Sequence, residues 1–290
     1  MSLMRSLLFM PGNKEKMLAK TPTVGADAVI WDLEDAVSPA EKPAARQLIH
    51  QYLKEQPLGL PIYVRTNAVS SGLIDADLQA VVSPNLRGIV LPKVEAADEI
   101  RYVSRTLVNL EQELGLPRSG IKIIALLETA LGVIRAYEIA TASERVEALS
   151  LGAEDFASDL GTSRSREGIE LAHARGNIVL AAAAAKIMAL DTVYSDLNDP
   201  DGLERECRLA RQLGFSGKCA IHPKQVEIIN KAFSPTEAEL EYARKVVAAF
   251  EEAQAQNLGV IVVEGRMVDK PIVQRALRLL EKYGVEKCGK

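Results

Sequence analysis

The stretch VIWDLEDAV, residues 29–37, runs from an apolar segment into three carboxylates, Asp32, Glu34 and Asp35, within four positions. The apolar half reads as a buried strand, because nothing in it alternates with polar residues. Packing gives no reason to charge the end of such a strand, so the acidic half points to chemistry there. Seven further runs resemble the first half: RSLLFM, IYVRT, GIVLPK, IKIIALLE, ALSLGA, DTVYSD and GKCAIHP. Between them lies helical periodicity, as in Leu48, Ile49, Tyr52 and Leu53, and in Ile100, Val103, Leu107, Leu110 and Leu114. Helix starts are marked by Ser38-Pro39-Ala40-Glu41 and by Asp199-Pro200.

Strict alternation of strand and helix demands a parallel sheet, and eight units match an α/β closed (β/α)8 TIM barrel. The alternative is an open, doubly wound sheet. Against it, no GxGxxG follows the first strand, and charges recur at most strand ends instead of at one crevice. The repeat stops near Phe233, so residues 1–233 are assigned to the barrel and 234–290 to a C-terminal helical extension. Within the extension, Ser234-Pro235-Thr236-Glu237 opens an amphipathic helix through Gln256. GVIVVEGRMVD then reads as a strand or hairpin, and Lys270-Pro271 starts a last helix. A piece this small must lie on the barrel or on a neighbouring subunit.

The chain has 290 residues, 48% of them hydrophobic, enough for a sizeable core, which excludes disorder. With 35 basic and 39 acidic residues the formal charge is −4, and no broad basic footprint for nucleic acid exists. No apolar run is long enough to span a bilayer, and the start MSLMRSLLFMPG is too short in apolar residues for a secretory signal, so a cytoplasmic location is expected. Cys207, Cys219 and Cys288 form no CxxC pair and are expected as reduced thiols. Three scattered histidines, His50, His173 and His222, cannot make a multi-histidine metal centre; any metal would have oxygen ligands.

In a barrel the C-terminal strand ends share one pole. Asp32, Glu34 and Asp35 fall there after strand two, Arg65 after strand three, Lys93 after strand four, Glu128 after strand five, Glu154 and Asp155 after strand six, and Asp196 after strand seven. Converging carboxylates repel one another unless protonated or neutralised by a cation, and Mg2+ suits oxygen donors. Any one of them could instead cap a helix or pair with an arginine. Glu128 is different, because it terminates the apolar run Ile123–Leu127, which capping does not require. Arg65 is suited either to bridge carboxylates or to hold a substrate oxygen. Lys93 could form an ion pair or a Schiff base. Lys14, Lys16 and Lys20 open a helix against the macrodipole preference, which hints at a phosphate partner. Phe9 reads as core, and His222-Pro223 as a structural turn.

The stretches RSLLFMPGNKEKMLAK, GADAVIWDLEDAVSPAEKPAAR, YVRTNA, GIVLPKVE, ALLETALGV, LSLGAEDFASDLG, DTVYSDLNDPDGL, LGFSGKCAIHPKQVEIIN and GRMVDKP run in order from Arg5 to Pro271. Through them the chain resembles the citrate lyase beta subunit family, within a wider group of acyl-CoA carbon–carbon lyases that includes malyl-CoA and citramalyl-CoA lyases. The resemblance implies Mg2+ held by Glu128 and Asp155, with Glu34 and Asp35 contacting the waters of the ion. It implies that Arg65 orients and polarises the substrate, and that Phe9, Lys14 and Lys20 lie where the family holds the adenine and phosphates of coenzyme A. Asp269, in EGRMVD, matches an aspartate that reaches a neighbouring subunit's site as acid or base; Arg266 stands where a lysine is usual.

The activity so implied is cleavage of citryl thioester on an acyl carrier protein to oxaloacetate and acetyl thioester. The implied partners are citrate lyase alpha and gamma subunits, with a trimer or a multiple of it as the homo-oligomer. The alternatives are a stand-alone malyl-CoA or citramalyl-CoA lyase, a thioesterase of the same fold, a mainly structural subunit, and a Schiff-base aldolase using Lys93.

Overall fold

The computed structural model describes residues 4–54, 59–255 and 261–284. Eight parallel strands close into a barrel in sequence order: β1 (Ser6–Pro11), β2 (Ala28–Asp32), β3 (Ile62–Arg65), β4 (Gly88–Leu91), β5 (Lys122–Leu127), β6 (Val146–Leu151), β7 (Met188–Asp191) and β8 (Gly217–Ala220). The sheet closes because β8 pairs with β1, through Leu7 and Cys219 among others. That closure rules out the open sheet.

Each strand is covered on two faces. Side chains such as Leu7, Ile30, Tyr63, Val90 and Ile124 fill the barrel interior, while Trp31, Val64, Leu91 and Leu127 face the helices outside. Full burial of one such side chain is worth about 1.5–3 kcal/mol, which is why the strands read as continuous apolar runs. The outer helices match their periodicity. In Ala97–Glu113 the buried stripe is Ile100, Val103, Leu107 and Glu111, so it turns away from Leu114, which is exposed.

Strand seven differs from its sequence reading. It spans Met188–Asp191, not residues 191–196, and Asp196 lies exposed in the following loop with its Oδ1 accepting from the Asn198 N–H. The preceding helix, Ala172–Ala185, ends on Lys186 at φ 59°, a left-handed position that usually calls for glycine. With no glycine there, the alanine run merges into the strand without a sequence signal.

Two starts also differ in detail. Ser38 Oγ donates to Glu41 Oε2 (2.7 Å) across a 3-10 turn, and the helix proper is Lys42–Lys54. Further on, the reciprocal capping box belongs to Thr236 and Glu239, two residues past Ser234.

The seam between β7 and β8 is the narrowest of the barrel, joined at Leu190 with Gly217 and Asp191 with Lys218. There the ladder is reinforced by charge. Lys218 Nζ lies 2.7 Å from Asp191 Oδ2, and Arg175 Nε donates to Asp191 Oδ1 (2.9 Å), with Glu206 closing the cluster against Lys218. Although burial works the other way, Lys218 and Arg175 hold the Asp191 carboxyl below its usual range.

Residues Met4–Phe233 form one compact unit and the described residues from Ser234 a second. The second unit packs the helix Glu237–Ala255 and the helix Lys270–Lys282 around Val246, Val268 and Leu280, with an antiparallel hairpin of β9 (Ile261–Val263) and β10 (Arg266–Val268). Gln256 and Cys288 lie outside the described residues, whereas Cys207 and Cys219 are buried free thiols. Among the described residues, no helix is long and apolar enough to cross a membrane.

Candidate active site

A cavity of about 460 Å³ opens past the C-terminal strand ends, with Phe9, Asp32, Arg65, Glu128, Asp155 and Thr192 among its lining. Each polar member is delivered by a different strand end. Asp32 ends β2, Arg65 ends β3, Glu128 follows β5, and Asp155 sits in the first turn of the helix Ala153–Asp159 after β6.

Arg65 is gripped by carboxylates. Its Nε and Nη2 donate to the two oxygens of Asp32 at 2.7 and 2.6 Å, and Nη1 lies 3.1 Å from Glu34 Oε2 and 3.5 Å from Asp35 Oδ2. Burial alone would lower the guanidinium pKa, but Asp32 and then Glu34 raise it, so the charge is permanent. For Asp32 burial pushes upward, and the paired guanidinium with the N–H groups of Glu34 and Ala36 outweighs it, holding the carboxyl low. The Phe9 ring lies under the guanidinium, 5.1 Å from Cζ to centroid. Phe9 is therefore both the margin of the barrel interior and part of the cavity wall.

Glu128 is the most perturbed carboxyl of the mouth. It is 2% exposed, and burial first, then the nearby charges of Glu34 and Asp155, push its pKa up to about 8 against the opposing pull of Arg65. Its Oε2 accepts from the Lys93 N–H at 2.9 Å. Burial likewise raises Glu34, although Arg65 and Lys93 oppose it. Glu34 Oε2 is buried beside the Arg65 guanidinium, in an ion pair without hydrogen-bond geometry. Neither Glu34 nor Lys93 lines the cavity; the two are joined by Lys93 Nζ to Glu34 Oε1 at 2.8 Å.

Two supporting residues carried no sequence signal. Lys42, buried in the helix that follows the acidic turn, donates from Nζ to the carbonyls of Leu33 (2.7 Å) and Glu34 (2.9 Å), which fixes the backbone that presents Glu34 and Asp35. Gly152 follows β6 against Glu128, and a Cβ there would collide with both Glu128 Cγ and Oε1. The Gly152→Ala variant is expected to lose about 1–3 kcal/mol in urea unfolding, because the buried carboxyl has no room to retreat. An unchanged midpoint would show that Glu128 moves freely.

Other sequence candidates fall elsewhere. Lys14 and Lys20 are exposed on the segment after β1 and do not line the cavity. His222 Nδ1 accepts from the Lys224 N–H in a turn. Asp269 belongs to the second unit, where it caps the helix Lys270–Lys282 by accepting from the Ile272 N–H at 3.3 Å.

Among the described residues, no group of three or more His, Cys, Asp or Glu side chains is arranged to hold a metal ion. Two carboxylates that line the cavity, Glu128 and Asp155, could offer oxygen donors. That pair fits Mg2+, which commonly takes one or two protein carboxylates and keeps waters in its other positions. The burial-driven rise at Glu128, beside the charges of Glu34 and Asp155, is what a site short of one cation would show.

An eight-stranded parallel barrel with acidic and basic groups gathered beyond its C-terminal strand ends is the architecture of a barrel enzyme. The chain belongs to the HpcH/HpaI aldolase/citrate lyase family, whose model matches residues 5–223. It is 42% identical over 280 residues to the citrate lyase subunit beta of Leuconostoc mesenteroides subsp. cremoris, covering 96% of this chain and 93% of that one. It is 38% identical over 280 residues to a (3S)-malyl-CoA thioesterase of Cereibacter sphaeroides, covering 96% and 94%. Among solved structures, the protein CitE from Mycobacterium tuberculosis, in complex with magnesium, acetoacetate and coenzyme A, superimposes with a TM-score of 0.79 at 35% identity, covering 98% of this chain and 99% of that one.

Proposed function

We propose that this chain is a Mg2+-dependent carbon–carbon lyase for 3-hydroxyacyl thioesters, with citryl thioester on an acyl carrier protein as its first substrate. The observation that carries the reading is the buried Glu128 carboxyl, set in one cavity with Asp155 and Arg65. Family membership and the magnesium and coenzyme A bound by the CitE relative support it.

In this reading Glu128 and Asp155 hold the ion, and Glu34 and Asp35 contact its waters. When bound, Mg2+ supplies Lewis acidity to the substrate hydroxyl and its neighbouring carboxylate oxygens. The hydroxyl loses its proton, the bond between the carbinol carbon and the carbon next to the thioester breaks, and its electron pair passes into a thioester enolate. An α-keto acid leaves. Arg65, permanently charged and fixed by Asp32, opposes the developing negative charge without reorganising. Asp269 of a neighbouring subunit, the acid or base of the resemblance, takes the hydroxyl proton and returns it to the enolate carbon. Phe9, Lys14 and Lys20 receive the adenine and phosphates of the thioester carrier. Alpha and gamma subunits and a trimeric assembly belong to the same proposal.

A second reading, a malyl-CoA or citramalyl-CoA lyase or thioesterase, is favoured by the likeness to the malyl-CoA thioesterase. Citryl, malyl and citramalyl thioesters assayed with and without Mg2+ separate the two. Oxaloacetate release from citryl thioester supports the first, and thioester hydrolysis without keto acid supports a thioesterase. Failure to turn over any of the three, with partner subunits still bound, would leave a structural subunit.

The Schiff-base reading has a structural obstacle. Burial lowers the Lys93 pKa, but Glu34 and then Asp35 raise it further, so its amine stays protonated and un-nucleophilic. EDTA is therefore expected to abolish turnover, and borohydride added with substrate to leave Lys93 unlabelled by mass spectrometry.

A further inference from the structure

We propose that Lys93 is a positioning residue that braces the two sides of the acidic mouth and sets how tightly the mouth grips a divalent cation. The proposal rests on the reading of Glu128 and Asp155 as a Mg2+ site.

Lys93 follows β4 with φ 53°, a left-handed conformation that costs a side-chain-bearing residue about 1 kcal/mol or more. Glycine would adopt it without that cost, so the conformation is kept for what it places. The turned backbone aims its N–H at Glu128 Oε2, 2.9 Å away. The same turn carries Nζ to Glu34 Oε1 at 2.8 Å and to within 3.8 Å of Asp35 Oδ1. One residue thereby touches the carboxylate from the end of β5 and two from the turn after β2. The backbone contact sets the rotamer of a metal-holding side chain, and the ammonium holds the carboxylates proposed to contact the waters of the ion.

These two contacts pull metal affinity in opposite directions. Holding Glu128 in place favours binding, whereas a resident ammonium competes with a dication for the same negative charge. Removing the side-chain charge while keeping the amide isolates the second effect.

The test titrates Mn2+ into the full-length wild type and the variants Lys93→Met, Lys93→Gly, Lys93→Arg and Asp155→Ala by calorimetry and electron paramagnetic resonance, alongside steady-state kinetics. Lys93→Met is expected to bind Mn2+ about tenfold more tightly, allowing for solvent screening of a half-exposed charge. Its kcat is expected to fall by about tenfold, because Glu34 and Asp35 lose their brace. Lys93→Gly, a second charge-free variant with a relaxed backbone, should show the same tightening, and Lys93→Arg an affinity near wild type. A purely structural role would weaken binding and turnover together. Unchanged or weaker Mn2+ affinity in both charge-free variants overturns the proposal, as does equal tightening in Lys93→Arg. A wild type that binds no Mn2+, indistinguishable from Asp155→Ala, overturns the metal reading itself and this inference with it.

Discussion

Glu128→Gln is expected to lower turnover of the preferred thioester by about a thousandfold and to weaken Mg2+ binding with it, since an amide oxygen carries no charge to offer the ion. The same variant reports on stability with a sign opposite to most carboxylate mutations. In the wild type without metal, the folded Glu128 holds its proton up to about 8, against a usual value of 4.5. Below 4.5 folded and unfolded states are both protonated. Between the two values only the folded state keeps the proton, so stability falls as pH rises, and above 8 the full penalty applies. At its limit that penalty is on the order of 4–5 kcal/mol, and Gln removes it. Urea unfolding in EDTA from pH 5 to 9 should therefore show the variant gaining on the wild type as pH rises, with added Mg2+ restoring the wild type alone. Parallel pH profiles would show that Glu128 is not a desolvated acid.

Arg65→Met is expected to cost about 3–5 kcal/mol at neutral pH, because it strands the buried Asp32 without a counter-ion and leaves the buried Glu34 beside it with Lys93 alone. Arg65→Lys keeps the charge but loses the two-pronged grip on Asp32, and should recover part of the stability while leaving turnover down by about a hundredfold. The pH dependence again has a definite sign. The depressed Asp32 pKa contributes stability above the usual carboxyl range and loses it as pH falls through the folded value. The gap between wild type and Arg65→Met should thus close on acidification. Thermal unfolding of both proteins between pH 3 and 7 measures it; a constant gap would mean that packing of the arginine stem, not its charge, is what was lost.

Much of this architecture was legible in the chain. The closed barrel follows from eight apolar runs alternating with helical periods, and Glu128 stood out because a charge ending Ile123–Leu127 has no packing purpose. What stayed hidden depends on closure in three dimensions. Gly152 needs to be small only because the ends of β5 and β6 bring it against Glu128. Lys42 reads as an ordinary helix-surface lysine until the turn after β2 folds back over its amine. Strand seven was misplaced because the helix before it stops on a lysine in a conformation that sequence rules assign to glycine. Asp269 was singled out by resemblance, and its cap on the last helix is a local role that the pattern Asp-Lys-Pro also announces.

The short ladder between β7 and β8 makes one stave of the ring depend on ionic cement. Asp191 and Lys218 face each other across that joint, and just beyond Asp191 the chain continues as Thr192 and Val193 in the wall of the cavity. The flank of the mouth at β7 is therefore tied to its neighbour by two residue pairs and by the charges across them. Loss of either charge there would reach the mouth directly, through the two residues that follow Asp191.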